Sequence, residues 1–247
     1  MIATLSITQD LFLGGKIQVL QPVQGYRAAI DPVLLAAATC FKGKGHVLDV
    51  GAGVGVASLC LVSRKTECLV CGIELQQDLV RLAEKNITIN GYEGRVNIIS
   101  GDLLDPPSAL KDKQFDAVMT NPPYYEADKT RASPDVQKAM AHVESVDLKK
   151  WLAFCIQSLK PKGILTLIHR AERMDEILSY LYPKMGDLSV FPLWPSAGKS
   201  ARRIIIRGRK GVKSGLTFCQ GLILHDAQGQ FTPEAQDILR SGRPLVY

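Results

Sequence analysis

Four histidines and six cysteines in 247 residues leave little material for a metal centre or a disulfide framework. His142 and His169 have no partner at ligand spacing, and Cys40, Cys60, Cys68, Cys71, Cys155 and Cys219 are scattered, mostly in apolar stretches. That is the usage of reduced, buried thiols. The single C-x-x-C, Cys68 to Cys71, has no second pair to complete a site, so no metal is expected. No run of eighteen apolar residues occurs, and Met1 to Asp10 carries neither a basic start nor a long apolar stretch. No membrane association and no signal peptide are expected, and the chain is read as cytoplasmic. Internal repeats and low-complexity stretches are also missing. At 46% hydrophobic and 22% charged residues the composition excludes a disordered or collagen-like chain. The length suits one domain over 1–247, with an N-terminal segment 1–45 ahead of a main body 46–247.

Charge of one sign is concentrated. Lys199, Arg202, Arg203, Arg207, Arg209, Lys210 and Lys213 fall within fifteen residues that hold no acid, and without them 23 cations face 24 acids. The whole net charge of +6 therefore sits there. A local basic patch on a balanced chain is the footprint of a polyanion such as nucleic acid. The other reading is a solvated charged hairpin.

From His46 short β-type runs alternate with helix-type runs: His46 to Val50, Val54 to Arg64, Leu69 to Glu74, Gln76 to Asn90, Val96 to Ser100, Phe115 to Thr120, Leu148 to Leu159 and Gly163 to His169. That alternation predicts an α/β fold with a parallel sheet covered by helices on both faces. Past Tyr182, the runs Arg203 to Arg207 and Phe218 to His225 read as strands joined by a Gly- and Lys-rich turn, which predicts a closing antiparallel pair carrying the cations. Before His46, Phe12 to Gly25 holds short β-like fragments, and Asp31-Pro32 opens an Ala/Leu-rich helix.

Leu48-Asp-Val-Gly51-Ala-Gly53-Val-Gly55 is a strand running into a glycine turn and a helix. Glycines let the backbone approach a ligand, and the helix start offers free N–H groups. The spacing is G-x-G-x-G with an acid, Asp49, two residues ahead, not the dinucleotide G-x-G-x-x-G, which favours a cofactor without pyrophosphate. Glu74 ends the next β run, where a carboxylate can accept both ribose hydroxyls, and Asp102 follows the third, within reach of an adenine amine. Asn121-Pro122-Pro123-Tyr124 follows the strand Phe115 to Thr120 directly. Two prolines enforce an extended turn that presents Asn121 at the open end of the sheet. The Asn121 side-chain oxygen and the Pro122 carbonyl can accept both hydrogens of one planar amine, and Tyr124 can stack on its ring. Such a nitrogen is a poor nucleophile because its lone pair is delocalised. Two acceptors that favour a pyramidal nitrogen restore the lone pair and aim it at an electrophilic methyl group.

Asp49 to Gly55, Glu74, Asp102 and Asn121 to Tyr124 together resemble the class I methyltransferases that act on amino groups. The segment Gln21 to Ala36, with Tyr26, Arg27 and Asp31, narrows the resemblance to the bacterial tRNA(Val) adenine-N6 methyltransferase family. The resemblance implies a Rossmann-like domain whose mostly parallel seven-stranded sheet ends in an antiparallel hairpin. It implies S-adenosyl-L-methionine as cofactor, held by Asp49, Gly51, Gly53, Gly55, Glu74, Leu75, Asp102, Leu103 and Asn121. Tyr26, Arg27 and Asp31 would close over the methionine end, unless Arg27 meets phosphate instead. Asn121, Pro122 and Tyr124 would hold the target base. The family is monomeric and has no separate RNA-binding domain, so RNA, with tRNA as the expected partner, would be met by the Lys199 to Lys213 cluster. Three other readings stay open. Release-factor glutamine methyltransferases share Asn-Pro-Pro-Tyr but carry a larger helical N-terminal domain. DNA adenine methyltransferases add a recognition domain, and an RNA-binding protein can keep this fold without turnover. Trp194, between Pro192 and Pro195, is either a base stacker or a loop plug.

Overall fold

A computed structural model describes residues 6–25, 27–41, 43–123 and 148–247. The chain opens on an antiparallel hairpin, β1 (Ile7–Phe12) and β2 (Ile17–Pro22), joined by a tight 3-10 turn at Leu13–Gly15. Helix α1 (Asp31–Ala38) leads into β3 (Gly45–Val50), α2 (Val56–Arg64), β4 (Cys68–Glu74), α3 (Gln77–Ile89), β5 (Val96–Ser100), α4 (Ser108–Lys111) and β6 (Phe115–Thr120). From Leu148 come α5 (Leu148–Gln157), β7 (Leu159–Arg170), α6 (Met174–Leu181), β8 (Met185–Ser196), β9 (Arg203–Lys210), β10 (Leu216–Phe218), β11 (Leu222–His225) and α7 (Pro233–Gln236), which runs into a π-helical turn at Asp237–Ser241.

The main sheet runs β10-β8-β9-β7-β6-β3-β4-β5, with β11 also on β8. Strands β3 to β7 are parallel neighbours, and β9 is antiparallel to both β7 and β8. The mostly parallel, Rossmann-like sheet is as expected, but it has nine strands rather than seven because β10 and β11 both add to the outer side of β8. The central strands read as near-continuous apolar runs because both faces are covered. Along β6, Ala117 and Met119 enter the core beneath α1 and α2, while Val118 enters the opposite core with Leu152 and Ile177 from α5 and α6. This is the two-residue period of a strand feeding two layers.

The closing antiparallel pair differs from expectation in its partner. Arg203–Lys210 pairs with Met185–Ser196, which sequence pattern had not marked as a strand, whereas Leu216–Phe218 and Leu222–His225 lie parallel on the outer side of β8. Pro192 and Pro195 hide β8, because proline cannot donate to a ladder. Here the outer partners are interrupted where Pro192 falls: β10 pairs Leu188 to Val190, and β11 begins at Leu193.

The hairpin and the C-terminal residues are tied into the body by side chains. Asn86 of α3, fully buried, accepts from the Leu20 N–H at 2.7 Å and donates to the Leu20 carbonyl at 3.1 Å, and Asn90 does the same for Gln18 at 2.9 and 2.7 Å. Two amides one helical turn apart thus act as a substitute strand along β2. Arg64 donates to the carbonyls of Ile238 and Arg243, Leu245 N–H to that of Ala37, and the Gly14 turn packs against Arg240. The C-terminal residues therefore cover α1 and α2, and the Leu13–Gly15 turn packs against them. No helix among the described residues is long and apolar enough to cross a membrane.

Candidate active site

Parallel strands bring their carboxyl ends to one edge. Register places Val50 beside Ile73 and Thr120, and Glu74 beside Ser100. There β3 turns away from β6: the Gly51 and Ala52 N–H groups both donate to the Ile73 carbonyl, at 2.9 and 3.1 Å. Gly51, Gly53 and Gly55 all have left-handed backbones, with φ of 74°, 56° and 87°, a conformation that strains any residue with a Cβ.

The acids hold this turn from two sides. One Glu74 carboxylate oxygen accepts from the Gly53 N–H at 2.9 Å and the other from the Gln76 N–H at 2.9 Å. Burial pushes its pKa up, opposed by those backbone N–H groups. Asp49 is buried beneath the turn and accepts from Ser58 Oγ at 2.6 Å. Burial drives its carboxyl to about 7, the Ser58 hydrogen bond opposing and the Glu74 charge adding to the rise. Asp102 is half-exposed and accepts from the Leu104 N–H at 2.8 Å, which shapes the turn after β5.

Asn121 lines one narrow cleft of about 40 Å³ together with Asp49, Gly51, Gly53, Ala28 and Pro32. Asn121 and the glycine turn thus meet at one cleft. Gly55 stands just behind them as the N-cap of α2, and Pro122 is buried. Leu75 and Leu103 are half-buried, Leu103 packing on the α5 core. Tyr26 and Tyr124, like His142, lie outside the described residues.

The segment before α1 is fastened to the hairpin. Arg27 donates to Thr8 Oγ1, the Pro22 carbonyl and Asp10 at 2.6, 3.0 and 2.7 Å, so its guanidinium faces the hairpin. Buried Gln21 pairs with both the N–H and the carbonyl of Ala28, at 2.8 and 3.2 Å. Ala28 also lines a second, open cleft of about 660 Å³ between the hairpin and the C-terminal residues, which therefore adjoins the first. Asp31 begins α1 and pairs with Arg203 Nε at 3.1 Å.

The basic stretch is divided between the two edges of the sheet. Lys199 and Arg202 are exposed at the β8–β9 turn, on the cleft edge beside Arg203. Sequence reading missed Arg170 and Arg173 there: Arg170 is the register partner of Arg203, and all three cations hold buried His169 down at about 4, behind the larger effect of burial. Midway along β9, Arg207 lies 4.0 Å from the Tyr247 ring centroid. Arg209 and Lys210 donate to the carbonyls of Lys162, Gln157 and Leu159 at the far edge, where Lys213 is exposed. Trp194 donates to the Gln220 carbonyl at 3.1 Å. Cys68 and Cys71 enter opposite cores, and no cluster of three or more His, Cys, Asp or Glu able to hold a metal occurs among the described residues.

Residues 30–178 match the family model "Methyltransferase small domain". The chain is similar to the tRNA1(Val) (adenine(37)-N6)-methyltransferase of Aeromonas salmonicida, 30% identical over 213 residues, 83% of this chain and 85% of that one. It is 28% identical to the protein of the same name from Porphyromonas gingivalis over 91% of both chains. Among solved structures, a predicted O-methyltransferase from Agrobacterium tumefaciens superposes with a TM-score of 0.72 at 24% identity, over 87% of this chain and 98% of that one. M. jannaschii TYW2 in complex with AdoMet gives 0.57 at 15% identity, over 85% and 88%. At these identities the two structures share the fold.

Proposed function

The chain belongs to the methyltransferase small domain family, and we propose that it transfers the methyl group of S-adenosylmethionine to the N6 of an adenine in tRNA. The observation that carries this reading is Asn121 in the same cleft as Asp49 and the glycine turn. The name of the relatives in Aeromonas and Porphyromonas supports the target.

The donor set fits the cofactor. The Glu74 carboxylate takes backbone N–H groups from Gly53 and Gln76, one on each oxygen, and from Leu75, and its remaining acceptor capacity would take a ribose hydroxyl. Gly53 has open space where a Cβ would stand, so nothing obstructs a ligand beside the turn. When bound, S-adenosylmethionine supplies an electrophilic sulfonium methyl. The Asn121 side-chain oxygen and the Pro122 carbonyl accept the two amine hydrogens, which pulls the nitrogen toward a pyramidal shape and directs its lone pair at that methyl. With the two acceptors in place, the target nitrogen would take up that methyl group and give one proton to water, the sulfur leaving as the neutral thioether. No strong base is needed beforehand, because orientation and preorganised acceptors lower the barrier. Asp102 would accept from the adenine amine of bound S-adenosylmethionine. Lys199 and Arg202, with Arg170, Arg173 and Arg203 behind them, meet RNA phosphates on the cleft edge.

The test is transfer of labelled methyl from S-adenosylmethionine to total RNA and to release factors, each from a strain lacking this gene, with Asn121→Ala as control. N6-methyladenosine in a tRNA digest, lost in the variant, is the expected result. Label on release-factor glutamine, or tight cofactor binding with no transfer, would overturn it.

A further inference from the structure

A hydrogen-bonded relay runs beneath the cleft, joining residues that no motif connects. Trp151, near the start of α5, donates through Nε1 to Thr120 Oγ1 at 2.8 Å, and Thr120 Oγ1 donates to the Val50 carbonyl at 2.8 Å. Thr120 and Val50 are fully buried and Trp151 is 5% exposed, so water does not compete for these bonds. Their position matters more than their number. Val50 ends the strand that enters the glycine turn, and Thr120 ends the strand that presents Asn121. Beyond Val50 the backbone leans to β4, since the next two N–H groups go to the Ile73 carbonyl. The Thr120 hydroxyl picks up the Val50 carbonyl where the chain departs, and the indole holds that hydroxyl in place. The same indole reaches under the turn itself, for a Cβ on Gly51 would stand 2.8 Å from Trp151 Cζ2 and 2.9 Å from Cη2. One side chain therefore braces both the cofactor turn and the acceptor strand.

We propose that Trp151 and Thr120 are positioning residues for methyl transfer, locking the ends of β3 and β6 so that Asn121 and the glycine turn keep a fixed separation. The proposal rests on the methyl-transfer reading above. Neither residue touches the reacting atoms, but displacement of about 1 Å between donor and acceptor costs on the order of a hundredfold in rate. Hydroxyl chemistry at position 120 separates this role from core filling. Thr120→Ser keeps both hydrogen bonds and loses a methyl group, whereas Thr120→Val keeps the volume and loses both bonds.

The experiment compares wild type, Thr120→Ser, Thr120→Val and Trp151→Phe in methyl transfer to tRNA, with cofactor affinity by calorimetry and thermal unfolding of each. Expected are a fall in kcat of roughly ten- to a hundredfold for Thr120→Val and Trp151→Phe, KM and cofactor affinity within a few-fold of wild type, and near-normal kcat for Thr120→Ser. A valine variant with the kcat of the serine variant overturns the proposal, as does a kcat loss in the serine variant equal to that in the valine variant. Amide exchange at Gly51 and Asn121, measured without substrate, supplies the independent readout: faster exchange in Thr120→Val than in Thr120→Ser supports the lock, and equal exchange overturns it. Wild-type protein that leaves tRNA unlabelled strikes the substrate reading alone, because the exchange comparison still decides the lock.

Discussion

Gly51 and Gly53 share a left-handed backbone but have different neighbours, so alanine at the two positions should fail in different ways. Alanine in that conformation costs about 1 kcal/mol relative to glycine at either site. At Gly51 the new Cβ also meets the Trp151 ring at 2.8 Å, and the ring cannot yield, being buried and bonded to Thr120. The backbone cannot yield either, since the Gly51 N–H is held by Ile73. Overpacking of this kind adds about 1–3 kcal/mol, giving roughly 2–4 kcal/mol in total. For a chain of this size that lowers Tm by about 5–15 °C, against about 2–4 °C for Gly53→Ala. Gly53 has nothing within 4 Å of a Cβ and lines the cleft. Its alanine variant should keep its fold and lose cofactor affinity by about tenfold or more, equivalent to about 1.4 kcal/mol. Thermal unfolding and calorimetric titration with S-adenosylmethionine read the two effects separately. Equal drops in Tm, or wild-type cofactor affinity in Gly53→Ala, would refute the division of labour within the turn.

Two further perturbations probe the acid and the basic edge. The Asp49 carboxyl, at about 7 in the fold against an ordinary 3.8, keeps a proton between those values that the unfolded chain has lost. Its contribution to stability therefore falls as pH rises from about 4 to about 7 and levels above, by about 1.4 kcal/mol per unit. His169, held near 4, acts with the opposite sign below its ordinary 6.5, so the Asp49 effect is read as a difference. Urea unfolding of wild type and Asp49→Asn from pH 4.5 to 8 should show wild type losing ground to the variant as pH rises, and parallel curves would exclude it. On the basic edge, Lys199→Ala with Arg202→Ala should lower tRNA affinity and reduce the slope of log K against log salt by about 1.5. Lys213→Ala at the far edge should leave the slope unchanged. Equal changes in the two proteins would return the whole stretch to a single patch.

How far the sequence is legible depends on the distance between partners. The central strands are readable because each is a buried apolar run ending in glycine, an acid or Asn-Pro-Pro, and the same local strings place Asp49, Gly51, Gly53 and Asn121 at one edge. Strand β8 is not, since its prolines argue against a strand, and the gap in its outer partners that accommodates Pro192 is not revealed by local sequence. The basic stretch reads as one patch because sequence counts charges along a line. A strand of eight residues is roughly 26 Å long, so β9 carries its cations from the cleft edge to the opposite one. Asn86 offered a usable signal: an amide on the otherwise apolar stripe of α3 must find buried partners, and it finds them on β2 and at the Val54 carbonyl of the glycine turn. Thr120 and Trp151 offered no such signal, for threonine ending a strand and tryptophan in an amphipathic helix both look ordinary. The chemistry is thus written in contiguous motifs, whereas the spacing between those motifs is set by side chains whose partners lie 31 and 70 residues away. Variants that slow methyl transfer without weakening cofactor binding should therefore fall among such buried braces, outside every recognisable motif.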